Sequence, residues 1–114
     1  MKHFQPSEFT CKCGCGGNKM QSAFLEMLDN ARELAGVPFK INSGYRCEKH
    51  NRAVGSTSKN HTSGCASDIS CTDGLSRFKI VKALIDAGFK RIGVAKTFIH
   101  ADCVEGSPAS IWFY

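Results

Sequence analysis

No segment of this 114-residue chain is long or apolar enough to cross a bilayer, and the opening Met1-Lys-His-Phe-Gln-Pro6 has no apolar signal core. A helical membrane span is excluded, and the expectation is synthesis in the cytoplasm without a signal peptide. Internal repeats and low-complexity tracts are also lacking. Nothing divides the chain, so one domain over 1–114 is expected, large enough to bury a modest core without obligatory disulfides. Charge of one sign is in excess, at +5, yet the basic residues are scattered. No predicted helix or ribbon carries a positive stripe with interleaved aromatics, which argues against nucleic acid. An anionic polymer of another kind still suits the charge.

Cysteine, by contrast, is abundant. Seven are present, and an odd number rules out complete internal pairing. The run Cys11-Lys-Cys13-Gly-Cys15-Gly-Gly17 admits two readings. One is a metal clip completed by a distant cysteine; the other is a glycine-rich turn whose thiols are reduced or paired nearby. Cys-x-Cys departs from the two-residue gap of a zinc knuckle, which favours the turn.

Hydrophobic periodicity supplies the elements. Pro6 and the glycines at 14, 16 and 17 predict an irregular N-terminal arm over 1–20, packed on the body through Phe4 and Phe9. Phe24, Leu28, Ala31 and Leu34 recur at helical spacing between Ser22 and the stop at Gly36 and Pro38. A second helix is expected over Ser76–Ala87, burying Phe78, Val81, Leu84 and Ile85, with Gly88 as its stop. Short strands are expected at Phe39–Asn42 and Ala66–Cys71, a short helix over Cys47–Val54, and a hairpin from Arg91–Lys96 and Phe98–Cys103. Ile111-Trp-Phe-Tyr114 reads as a packing or partner-contact tail. Two amphipathic helices separated by short strands, without βαβ alternation, predict an α+β fold with a small, mainly antiparallel sheet.

The chemistry concentrates in two segments. His61-Thr-Ser-Gly-Cys-Ala-Ser-Asp68 places an imidazole and a carboxylate seven positions apart, and Phe98-Ile-His100-Ala-Asp102 adds a histidine in a strand-like run. His61, Asp68 and His100 are donors of the type zinc uses, and three protein ligands leave a fourth position for water. The expected cofactor is therefore zinc. A lone histidine in an apolar strand is more often a hydrogen-bonded core residue, so His100 gains weight only from its company.

That company is specific in order and spacing. From Asn42 the chain reads Asn-Ser-Gly-Tyr-Arg-Cys-Glu-Lys-His-Asn-Arg-Ala-Val-Gly55 and then enters the His61–Asp68 segment followed by Ile69. Over roughly Phe4 to Cys103 the succession resembles the zinc D-Ala-D-Ala carboxypeptidase family, which includes L-alanyl-D-glutamate endopeptidases of phage lysins and the Hedgehog signalling domain. The resemblance implies that family's fold, with zinc on His61, Asp68 and His100. It implies a substrate role for Arg46, whose planar guanidinium can bind a carboxylate or the scissile carbonyl through paired hydrogen bonds. The alternative for Arg46 is a structural salt bridge under the loop, and Tyr45 reads as packing.

The implied activity is hydrolysis of peptidoglycan stem peptides at the cell wall, as a D-Ala-D-Ala carboxypeptidase or an L-Ala-D-Glu-type endopeptidase. For a phage lysin or virion component, a holin or virion assembly would deliver the chain. Two departures bear on mechanism. Where many members place Glu or Asp three residues before the last zinc histidine, or His two before it, this chain has Thr97 and Phe98. Asp102, on the same strand face as His100, is then the expected general base; its alternative is a carboxylate that orients a histidine ligand, and His50 is a weaker candidate. A serine usual two residues before the first zinc histidine is replaced by Lys59, leaving Ser58 one place off as the expected substrate contact. The missing conventional base favours a competing reading, a catalytically silent zinc-binding structural or wall-binding module; Asp102 and Arg46 favour the enzyme.

Overall fold

The computed structural model of the chain describes residues 2–55, 61–103 and 108–114. The arm begins with a 3-10 turn over Pro6–Phe9, opened by a proline whose missing N–H costs nothing there and by a backbone N–H of Gln5 donating to Glu8 Oε2 at 2.6 Å. Its purpose is burial: Phe4 and Phe9 meet edge to face at 5.3 Å between ring centroids, and Phe4 reaches Phe39 at 6.4 Å. Each phenyl ring removed from water contributes roughly 1.5–3 kcal/mol, so the irregular arm is part of the core.

Helix α1 spans Ser22–Ala35, buries Phe24, Leu28 and Ala31, and stops where Gly36 turns left-handed at φ 68°. Leu34, expected in the buried stripe, is 59% exposed. A short helix α2 over Glu48–Ala53 follows Cys47. Helix α3 spans Gly74–Asp86, starting two residues before the expected Ser76 because the Asp73 carboxylate accepts from Ser76 N–H at 2.9 Å.

The stripe expected on α3 needs correction. Ile80, Ala83 and Leu84 are buried, whereas Phe78 is 66% exposed and Ile85 is exposed as well, both lining an open groove with Ile111 and Phe113. The helix carries two overlapping apolar faces, and the one with Ile80, Ala83 and Leu84 turns inward where it packs against α1 and the sheet. Periodicity alone cannot choose between two such faces.

Among the described residues, five strands form one sheet: β1 (Ile41–Ser43), β2 (Ala66–Ser70), β3 (Arg91–Val94), β4 (Phe98–Asp102) and β5 (Ser110–Phe113), in the order β1-β2-β4-β3-β5. All pairs are antiparallel except β3 with β5, so the α+β expectation holds with a mixed sheet. The C-terminal Ile-Trp-Phe-Tyr segment, expected as a tail, is instead mostly an edge strand. Its ladder is closed by Ser110 N–H donating to Lys90 O at 2.8 Å and Tyr114 N–H to Val94 O at 3.1 Å.

Alternation of side chains gives the sheet two faces of opposite character. Ile69, Ile92, Ile99 and Ala101 point into the apolar core with Phe24, Leu28 and Leu84. On the other face the register aligns Asp68, His100, Gly93 and Trp112 in one row, and Ala66, Asp102, Arg91 and Ser110 in the next. Among the described residues, no helix is long and apolar enough to cross a membrane.

Candidate metal centre

Strand pairing brings two of the three expected donors together, because Asp68 on β2 lies directly opposite His100 on β4. His61 arrives from the loop before β2, where its carbonyl accepts from Arg46 N–H at 3.2 Å. One atom from each residue converges: His100 Nδ1 is 2.9 Å and His61 Nε2 3.5 Å from Asp68 Oδ1. Four donors arranged tetrahedrally at zinc bond lengths would stand roughly 3.3 Å apart, so the set is suited to that ion. Both imidazoles are nearly buried.

The outer nitrogen of each ring is also held. His61 Nδ1–H donates to Gly44 O at 2.7 Å; a carbonyl can only accept, so Nδ1 carries a proton and Nε2 is the nitrogen turned to Asp68. His100 Nε2–H donates to Asp102 Oδ2 at 2.7 Å. Imidazoles anchored in this way present a defined nitrogen to a metal. Burial alone would raise the Asp68 pKa, but hydrogen bonds from His100 and His61 outweigh it and hold this carboxyl well below the usual carboxylate range. For His100, burial opposes protonation, and the carboxylates of Asp102 and Asp68 overcome that and raise its pKa.

Asp102, expected as the base, is fully buried and faces the ring edge of His100 opposite the converging atoms. Its other oxygen accepts from Arg91 Nε–H at 2.8 Å. Arg46 lies beside the cluster with a mostly buried side chain, its Nε–H donating to Ser43 Oγ at 3.1 Å and its Nη2 3.5 Å from Asp68 Oδ2. Tyr45 is buried, with its ring close against Gly17, consistent with packing. His50 is half-buried on α2, outside the converging group. Ser58 and Lys59 lie outside the described residues.

Two contributors escaped the sequence reading. Trp112 lies 5.6 Å from the His100 ring, with the Arg91 guanidinium 5.0 Å from its own ring. Gly93 makes room for it, since a Cβ there would stand 2.7 Å from Trp112 Nε1. Alternation of Arg91, Gly93, His100 and Asp102 was visible in sequence, but a parallel partner strand after β4 had no local signal.

Comparison with curated proteins finds no match. A family model described as Peptidase M15 matches residues 2–102, which takes in Arg46, His61, Asp68, His100 and Asp102 and leaves out β5. Members of this family are zinc peptidases, and the match supports, at family level, a peptidase acting on peptidoglycan. Matched over far more than half its length, the chain belongs to the peptidase M15 family, the zinc D-Ala-D-Ala carboxypeptidase-like group.

Proposed function

We propose that this chain is a zinc-dependent peptidase that cuts the stem peptide of peptidoglycan, with His61, Asp68 and His100 holding the metal. The observation that carries the reading is the convergence of one atom from each of these residues within 4.8 Å, with the outer nitrogens of both imidazoles anchored. When bound, zinc supplies an acidified water and a Lewis acid for the scissile carbonyl.

The chain's own residues do the rest. Two imidazoles and one carboxylate leave a bound dication with net positive charge. Arg46, tied at one edge to Ser43 and reaching Asn51 Oδ1 at 3.4 Å, offers a guanidinium pre-oriented for a stem-peptide carboxylate or the scissile carbonyl. Asp102, facing away from the converging atoms, acts as a positioning residue: it fixes the His100 ring so that Nδ1 faces Asp68. Ser58 remains the proposed substrate contact. A net charge of +5 suits an anionic wall.

Asp102's position also favours the second reading, a zinc-holding module without hydrolysis, because it removes the expected base from the reacting side. Incubating purified peptidoglycan with the full chain, with and without a chelator, separates the two. Chelator-sensitive release of free D-alanine identifies a carboxypeptidase. New stem-peptide termini identify an endopeptidase, the activity a phage lysin or virion component delivered by a holin or virion assembly would use. An intact substrate beside a zinc-loaded chain would refute the enzyme.

A further inference from the structure

The cysteine-rich arm has no part in the chemistry above, yet its sulfurs are gathered by the fold. Cys11, Cys13 and Cys15 meet Cys47, 32 positions beyond Cys15, with all four Sγ atoms within 4.8 Å of one another. The separations are 3.5 Å for Cys11–Cys13, 3.6 Å for Cys13–Cys47 and 3.8 Å for Cys11–Cys47. Disulfide sulfurs would be ~2.05 Å apart. Four sulfurs at zinc bond lengths of ~2.3 Å around a tetrahedral centre would be roughly 3.8 Å apart, close to the observed spacing.

The local chain explains how Cys-x-Cys spacing achieves this. Gly14 and Gly16 take φ of 87° and 77°, a left-handed conformation that curls the loop around one point instead of extending it. Backbone N–H groups are aimed at the sulfurs as thiolates require: Cys47 N–H at Cys11 Sγ, His50 N–H at Cys47 Sγ and Gly17 N–H at Cys15 Sγ, each at 3.4 Å. From Thr10 to Lys19 the arm has no large apolar side chain with which to anchor itself.

We infer that Cys11, Cys13, Cys15 and Cys47 form a second, structural zinc site, in which four thiols release four protons to solvent and hold Zn²⁺ as a closed tetrathiolate. Four protein ligands leave no open position, so the site is a staple. It joins the arm to the residue that follows Arg46 and opens α2. The same corner is zipped by Tyr45 N–H donating to Phe9 O at 2.9 Å, and packed so closely that a Cβ on Gly44 would stand 2.7 Å from Phe9 Cα. The staple therefore braces the segment that leaves β1 at Ser43 and carries Gly44 and Arg46.

The test uses the full chain purified with reductant and zinc. Two zinc ions per wild-type chain are expected, one released by a mercurial thiol reagent. His100→Ala should retain the thiol-bound ion, and its cobalt(II)-loaded form should show intense thiolate-to-cobalt charge transfer that the double variant Cys13→Ser/Cys15→Ser lacks. If the cysteine variant does not fold, the His100→Ala spectrum and zinc count decide alone. A metal-free His100→Ala chain without that band, or disulfides among these cysteines in the reduced preparation, overturns the site. Iron in place of zinc overturns zinc as the occupant.

Discussion

The two donor clusters rest on opposite kinds of scaffold. His61, Asp68 and His100 are built largely on paired strands, are nearly buried, and have outer partners in Gly44 O and Asp102. The four cysteines are built on a glycine-rich loop and a helix start, with Cys13 and Cys15 exposed. A ladder register holds its donors whether or not a metal is bound, because a one-residue slip would turn the whole apolar face to water. A glycine-rich loop closed by a few hydrogen bonds, such as Cys11 N–H donating to Gly17 O at 2.8 Å, is held less firmly, so more of its order should come from what the sulfurs bind. The buried centre should therefore lose function before it loses shape, and the exposed cluster should lose shape first.

The sharpest way to break the comparison is at the buried centre. His61→Ala or His100→Ala should abolish zinc binding there and lower turnover by roughly 10³-fold, as expected from losing several kcal/mol of metal assistance. Metal analysis and peptidoglycan digestion check it; full retention of zinc at this centre in both variants would refute the ligand set. Far-ultraviolet circular dichroism should remain folded.

Asp102→Asn sharpens the same contrast. As a positioning residue it should cost about 10–100-fold in zinc affinity, with turnover restored by excess zinc. A loss of ~10²–10⁴-fold in turnover with zinc still bound would instead return Asp102 to the role of general base.

Gly93→Ala should cost about 1–3 kcal/mol, because the added methyl meets the Trp112 indole and the Tyr114 ring at under 3 Å. Chemical denaturation reads this directly, and an unchanged midpoint would mean that β5 does not close over the site.

The smallest effect is one of sign with pH. Burial opposes protonation of His100, but Asp102 and Asp68 raise its pKa above the ordinary 6.5. In the zinc-free chain that stabilisation is fully present below 6.5 and is lost as pH rises through the raised value. With zinc bound the direction reverses, since protons compete with the metal for Nδ1 as pH falls. Thermal melts of chelated and zinc-loaded protein on either side of 6.5 should slope in opposite directions.

What the amino-acid order determined alone was local or type-specific. Three metal-suited donors in order, strands with one polar face, and the ends of α1 near Ser22 and Gly36 all follow from side-chain chemistry and short-range periodicity. Tertiary structure decided whatever required distant residues to share space. It kept the expected Leu84 inward but joined it with Ile80 and Ala83 in place of Phe78 and Ile85, and paired β5 in parallel with β3 so that Trp112 lies beside His100. It set Asp102 behind the imidazole instead of before it, and brought Cys47 to the three cysteines of the arm. Periodicity can specify which face a side chain takes within its own element, but the neighbour on that face is chosen by packing across the whole fold.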